Sequence, residues 1–162
     1  MLNINNVILI NDPYTVSKYF EEIGKEVGDT IELNNVVLTY DNIKKPEKEL
    51  PTEMDAEERN WLMDNIDIAT KELYKDLYTR RAIIYNLHKS GLDHNCLNVF
   101  HFYYREGKLY LNVYVRSMNF DVNFENDLYT FNILLEKACN KLSFEKGQII
   151  VFIMSLHRFK KG

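Results

Sequence analysis

The chain has little of several things, and each shortage excludes something. It holds two cysteines, three prolines, six glycines and one tryptophan in 162 residues. Two cysteines, Cys96 and Cys139, cannot build a disulfide framework. So little Pro and Gly, beside eleven Tyr and nine Phe, excludes collagen-like, low-complexity and disordered chains. Long apolar runs are missing: the longest, Ile149 to Met154, falls far short of the ~20 residues a membrane helix needs. The opening Met1-Leu2-Asn3-Ile4-Asn5 lacks the basic flank and apolar core of a signal peptide. An excess of positive charge is missing too: 20 basic and 24 acidic side chains leave -4, with no general attraction to nucleic acid or an anionic membrane. The expectation is a soluble cytoplasmic protein with a reduced thiol pool and neither nucleic acid nor membrane as partner.

What is present suits one domain spanning 1–162, with 46% apolar residues to build its core. Asn6 to Ile10 predicts a short buried strand, stopped by Asn11-Asp12-Pro13. Val16, Tyr19, Phe20 and Ile23 share a helical face that Gly24 and Gly28 close. Ile31 to Tyr40 predicts a strand, whole or broken by a bulge at Asn34-Asn35. Lys44 to Pro51 is a surface loop. Leu62, Ile66, Ala69, Leu73 and Leu77 predict a helix from Asp55 to about Tyr78, with Arg80-Arg81 at its end. Ala82 to Tyr85 is a buried strand. Leu97 to Tyr104 and Lys108 to Arg116 form a hairpin about Arg105-Glu106-Gly107. Phe124, Leu128, Phe131, Leu135, Ala138 and Leu142 make a helical stripe. A turn at Lys146-Gly147 leads to a last strand, Gln148 to Ser155. Helices between and after runs of strands predict an α+β fold with a central sheet and flanking helices.

Each polar residue has an ordinary reading. Cys96 suits a buried structural thiol, Arg80-Arg81 a solvated pair at a helix end, Asp127 a helix cap, and His157 a surface histidine. His88, His94, Cys96 and His101 offer a metal cluster as a further reading, but their spacing is irregular. Strand alternation also sets His94 and Cys96 on the face opposite His101.

Taken in order, the same residues stop looking independent. Arg80-Arg81 precedes Asp93-His94-Asn95-Cys96; a hairpin then leads to Arg116-Ser117, Asn119, Asp127-Leu128-Tyr129, and finally Ser155-Leu156-His157-Arg158-Phe159. Cys96 to Arg116 is twenty residues, Arg116 to Asp127 eleven, and Arg116 to His157 forty-one. This ordered set, from Leu73 to Phe159, resembles the thymidylate synthase family, which includes the pyrimidine-nucleotide hydroxymethylases. In that family a helix leads to an Arg-Arg pair, a strand and the nucleophilic Cys. An Arg-Ser pair, an Asp, an Asn ahead of a helix and a His-x-Tyr follow.

The resemblance implies a thymidylate-synthase-like sheet that dimerises through one face, with the Arg-Arg pair reaching the partner's site. It implies a pyrimidine nucleoside monophosphate as substrate and 5,10-methylenetetrahydrofolate as carbon donor. Cys96 would be the nucleophile that adds to pyrimidine C6. Arg80, Arg81, Arg116 and Ser117 would hold the phosphate, and His157 the sugar. The chemistry is coherent. Pyrimidine C5 is a poor nucleophile until a thiolate adds at C6, and a thiol titrating near ~8.5 needs a neighbouring cation, for which Arg116 is the candidate. Arg forks match phosphate oxygens.

The departures carry information. Asp127 stands where the thymidylate enzymes have Asn and the deoxycytidylate hydroxymethylases have Asp. A carboxyl suits cytosine, accepting from the N4 amino group and, if protonated, donating to N3. The expected substrate is therefore dCMP and the expected reaction a hydroxymethylase-like transfer to C5. Asn119, also assigned to the base, replaces an Asp tied to folate and proton handling. Phe159 replaces the Tyr of the last motif, and Leu97 the usual residue after the nucleophile. Glu58 and Trp61 echo the family's folate-side Glu and Trp, and equally suit an amphipathic helix with a half-buried Trp. Family enzymes are longer, so the folate half looks cut back, and the alternative is a degenerate relative that binds nucleotide as a regulator or scaffold without folate chemistry. The Asn-, Lys-, Ile- and Tyr-rich composition is the kind an AT-rich genome encodes, as in a phage or low-GC bacterium.

Overall fold

The computed structural model describes residues 7–47, 53–86 and 96–160. Seven strands form one mixed sheet in the order β1-β3-β7-β6-β5-β4, with β2 pairing the start of β3, on the edge that β1 takes further along. They are β1 (Ile8–Ile10), β2 (Lys25–Val27), β3 (Thr30–Tyr40), β4 (Ile83–Tyr85), β5 (Leu97–Arg105), β6 (Lys108–Asn119) and β7 (Glu145–Phe159). The helices are α1 (Val16–Ile23), α2 (Glu53–Asp64), α3 (Ile66–Lys75) and α4 (Phe124–Leu142). α4 is the crossover between β6 and β7, which are parallel as such a connection requires. None of the helices, among the described residues, is long and apolar enough to cross a membrane. The expected α+β architecture of a central sheet with flanking helices is present.

Local chemistry explains most element ends. The Asp12 side chain accepts from the Tyr14 amide at 3.0 Å and opens a 3-10 turn, Pro13–Thr15, that runs into α1. β5 and β6 turn through Glu106 and Gly107, both at positive φ, the geometry whose twist matches a two-residue hairpin. α1 stops at Gly24, which turns extended (φ -59°, ψ 137°) at a point where a Cβ would stand 2.4 Å from the Phe20 carbonyl oxygen and 2.6 Å from Ile31. β2 is charged and exposed along its length, so it shows no apolar alternation from which to predict it.

Two expectations need correction. The helix expected from Asp55 to Tyr78 is two helices that meet at Asn65 and end at Lys75. Asn65 takes φ -94°, ψ 6°, close enough to helical values that Leu62, Ile66, Ala69 and Leu73 keep one buried face across the joint. Arg80-Arg81 therefore lies in an irregular, turned connector rather than at a helix end. The turn expected at Lys146-Gly147 comes earlier, at left-handed Ser143. Gly147 is a strand residue pressed against Leu109 and Tyr110, where β6 and β7 shift register.

The irregularity expected at Asn34-Asn35 is real but is not a pairing defect. Asn34 faces Ser155 and Val36 faces Ile153, so register is continuous through it. What changes is the face. Leu33 and Val36 are buried with two outward residues between them, as are Val115 and Met118 in β6, and Ile153 and Leu156 in β7. β5 does the same between Leu97 and Phe100, at a bulge. β3, β7 and β6 reverse phase in one row and keep their partners, which turns Arg116 and Ser117 away from the inward layer, while β5 changes face beside Tyr114 by means of its bulge at Asn98.

On one side the sheet and helices close over a core that includes Phe100, Phe131, Leu62 and Leu111. The other face carries stacked rings, Tyr103 on Tyr110 (5.2 Å, 14°) and Tyr114 on Phe152 (4.9 Å, 8°). Leu9 and Met154 on it are 67% and 59% exposed. Between the stacks, His101 faces Asn112, and His101 Nε2 and Asn112 Oδ1 are buried without a hydrogen-bond partner. Burial, and then the Arg105 charge, hold the His101 imidazole below its ordinary 6.5. The unfolded chain thus binds the proton more readily, so this contribution to stability is present above pH 6.5 and is lost as pH falls through the lowered native value. The expected result is a melting temperature that drops between pH 7 and pH 5.5, with a shallower drop in His101→Gln. An identical slope in both proteins would remove His101 as the cause.

Candidate active site

Cys96 stands one residue before β5, partly exposed, and its carbonyl accepts from the Arg116 amide at 2.8 Å. The phase reversal sends the Arg116 side chain back along the same row, where guanidinium Nη2 lies 3.6 Å from Cys96 Sγ. Asn98, in the β5 bulge, fixes this register by accepting from the Arg116 amide through Oδ1 at 2.9 Å. The next β6 residue, Ser117, places Oγ 3.4 Å from His157 Nδ1 on β7. Four of the residues singled out from sequence are thus joined pairwise across adjacent strands: thiol with guanidinium, hydroxyl with imidazole.

The other thiol differs. Cys139 is buried on α4, and burial pushes its thiol up to about 11. It is protonated and enclosed at neutral pH, as a structural cysteine is.

Asp127 is not the cap of α4, a position that Asn123 occupies. It lies in the first turn with its side chain 8% exposed and forms an ion pair with Arg59 of α2, Nη2 to Oδ1 at 3.0 Å. Tyr40 is beside it. Burial first, and the Asp127 charge second, hold the Tyr40 phenol well above its usual 10 while its hydroxyl donates to the Leu128 carbonyl at 2.8 Å. Arg59 is a residue that sequence reading missed. Its partner is 68 positions away, and an Arg in a polar helix carries no local sign of being taken inward.

α2 touches the thiol end of the sheet through Glu58, whose carboxylate accepts from Asn86 Nδ2. Asn86 is buried, donates to the Leu97 carbonyl at 2.8 Å and, through its amide, to the Asn98 carbonyl at 3.0 Å. Successive α2 residues therefore tie down the start of β5 and the start of α4. Asn86 and Asn98 were also missed, since isolated asparagines near strand ends look like turn formers. Trp61 is partly buried and packs against the core.

Three assignments are not brought together with the thiol. Asn119 uses Oδ1 to accept from the Asp121 amide at 3.1 Å, so it shapes the turn into α4. Arg80 and Arg81 are exposed, and among the described residues neither guanidinium has a hydrogen bond or ion pair. The connector they occupy meets β5 where the Ala82 carbonyl accepts from Phe102. Phe102 is six residues up the strand from Cys96, about 20 Å at ~3.3 Å per residue. Of the four residues weighed as metal ligands, His88 and His94 lie outside the described residues, as do Asp93 and Asn95. Among the described residues no three His, Cys, Asp or Glu side chains form a metal-ligand group.

The chain path matches thermostable thymidylate synthase A from Bacillus subtilis with a TM-score of 0.71, over 91% of this chain and 78% of that one, at 16% identity. The fold is that of thymidylate synthase. A second match, the thymidylate synthase from T4 phage, has a TM-score of 0.53 at 18% identity over 57% of this chain, spanning 34% of the phage chain. No protein-family model matches the sequence, and neither does any curated protein. At these identities the thymidylate synthase likeness is one of fold, and the chemistry has to come from the residues placed on it.

Proposed function

We propose that this chain binds a pyrimidine deoxynucleoside monophosphate, dCMP by preference, and uses Cys96 for one-carbon transfer to C5. The observation that carries this reading is the Cys96–Arg116 pair at 3.6 Å, on a thymidylate synthase fold and beside the Ser117–His157 pair. A cation beside a thiol favours the form that attacks, the thiolate, over the thiol. Adding the thiolate to C6 breaks the ring's conjugation and leaves an electron pair at C5. Once C5 has bonded to the incoming carbon, loss of the C5 proton returns an electron pair to the ring and expels the thiolate. Arg116 and Ser117 would bind phosphate oxygens, His157 the sugar hydroxyl and Asp127 the cytosine amino group. The carbon would come from 5,10-methylenetetrahydrofolate, for which Trp61 offers an indole face and Glu58 a carboxylate.

Arg80 and Arg81 complete the phosphate site only through another copy of the chain. The ring-lined open sheet face supports a homodimer, and in that reading the partner's connector supplies the Arg pair.

Nucleotide binding without folate chemistry is the second reading. It is favoured by Asn119 and Glu58 being engaged in the protein's own hydrogen bonds. Both readings need the nucleotide, and a ligand at 100 times its Kd stabilises the folded state by about 2.7 kcal/mol. In a thermal-shift panel dCMP is expected to raise the melting temperature by several degrees, ahead of CMP, dUMP and dTMP. A larger shift with dUMP would overturn the base assignment.

A further inference from the structure

We propose that Asn86 is a positioning residue for the Cys96 thiol: its side chain holds the β5 bulge in the shape that keeps Sγ beside the Arg116 guanidinium. This rests on the reading of Cys96 as nucleophile and adds to it a residue that acts through the backbone.

A bulge puts one more residue on its strand than the partner strand has, and the extra residue leaves the ladder with a backbone group to satisfy. In β5 the register slips between Leu97 and Val99, directly after Cys96. On the β6 side the Arg116 amide donates to the Cys96 carbonyl at 2.8 Å and to Asn98 Oδ1 at 2.9 Å. On the β4 side a single residue serves both bulge carbonyls. The Asn86 amide donates to the Asn98 carbonyl at 3.0 Å, which carries the β4–β5 pairing one step past Tyr85. Asn86 Nδ2 donates to the Leu97 carbonyl at 2.8 Å, and also to Glu58, which anchors the carboxamide to α2.

Only the side chain can serve the Leu97 carbonyl, because the Asn86 amide is already spent on Asn98. Asn86 is 6% exposed, so water has little access to replace it. Removing the donor leaves a buried carbonyl unsatisfied. The chain relieves this by rotating the Leu97 peptide, and the residue that moves with it is Cys96. Sγ lies 3.6 Å from Arg116 Nη2, and the attraction between a thiolate and a guanidinium falls with distance and with the water let in between them. The carboxamide of Asn86 thus sets how strongly Arg116 acts on the thiol.

The test compares two alkylating reagents on the folded protein. Iodoacetate and iodoacetamide both lose iodide to the Cys96 thiolate, but only iodoacetate carries a negative charge that the guanidinium attracts. The ratio of their rates is followed on the Cys96 peptide by mass spectrometry, at one pH and low ionic strength. It cancels the amount of thiolate and reports how near Arg116 stands. Wild type is expected to show a ratio at least about threefold above that of Arg116→Met. Asn86→Ala is expected to fall to within about 1.5-fold of Arg116→Met. Ile84→Val, a core truncation in β4, is expected to lower the melting temperature and keep the wild-type ratio, so lost stability alone does not move the readout. If Asn86→Ala does not fold, Asn86→Leu, which fills the same space without a donor, is read by the same criteria. A wild-type ratio in the folded Asn86 variant overturns the role of Asn86 alone. A ratio in wild type equal to that of Arg116→Met overturns the thiol–guanidinium pair on which the nucleophile reading stands, and Asn86's role with it.

Discussion

Cys96→Ser is expected to abolish exchange of the C5 hydrogen of dCMP with solvent while leaving dCMP affinity within about threefold of wild type. Exchange needs only the first half of the proposed chemistry: the thiolate adds to C6, C5 takes a solvent proton, C5 gives up its original hydrogen, and the thiolate leaves. No carbon donor enters, so the result does not depend on whether folate is used. An alcohol does not supply the nucleophile at neutral pH, and removing the attacking group is expected to cost roughly 10³-fold or more. Binding persists because Arg116, Ser117, His157 and Asp127 remain. Cys139→Ala is the internal control: that thiol is enclosed in the core and held up at about 11, so exchange should continue at the wild-type rate. Following tritium release from 5-labelled dCMP checks all three proteins. Wild-type exchange by Cys96→Ser would end the nucleophile assignment.

Two inactive variants are expected to restore each other. The connector that carries Arg80 and Arg81 meets β5 about 20 Å along the strand from Cys96, by strand spacing. In a dimer that shares its sites, an Arg80→Ala/Arg81→Ala chain keeps its Cys96 but gives its partner no phosphate ligands. Each charged hydrogen bond to phosphate is worth about 1.5–3 kcal/mol, so losing both weakens nucleotide binding about 100-fold or more. Cys96→Ser has the opposite defect. Co-refolding the two makes half of the dimers mixed. Each mixed dimer has one site with an intact Cys96 from one chain and an intact Arg pair from the other, giving about a quarter of wild-type exchange. A co-refolded, folded and dimeric mixture with no exchange would show that the sites are not shared. Full activity of the double Arg variant by itself would remove these residues from the phosphate site.

Some of this molecule is legible in one dimension. Capping by Asp12, the Glu106-Gly107 hairpin and the apolar stripe of α4 are local events, decided by side chains a few positions apart, and they stand where periodicity puts them. The stripe through Leu62, Ile66, Ala69 and Leu73 is legible too, but the joint at Asn65 inside it is not, because a nearly helical residue leaves the burial phase unchanged. β2 is not legible either, because its stability comes from pairing with β3 and not from any face of its own.

The site divides along the same line. The order and spacing of Cys96, Arg116, Ser117, Asp127 and His157 are properties of the sequence by itself, together with the alternation and turn chemistry that make the α+β sheet. Only the tertiary structure decided which side chains meet. The phase reversal that turns Arg116 toward Cys96 depends on three adjacent strands changing face in one row beside a bulge in β5, a demand no single strand can express. The Arg59–Asp127 pair depends on α2 being packed over the start of α4, 68 residues away. The separation of Arg80 and Arg81 from the thiol depends on where β4 meets β5. Sequence patterns report the environment a residue needs; the partner that satisfies it is chosen by packing between elements distant in the chain.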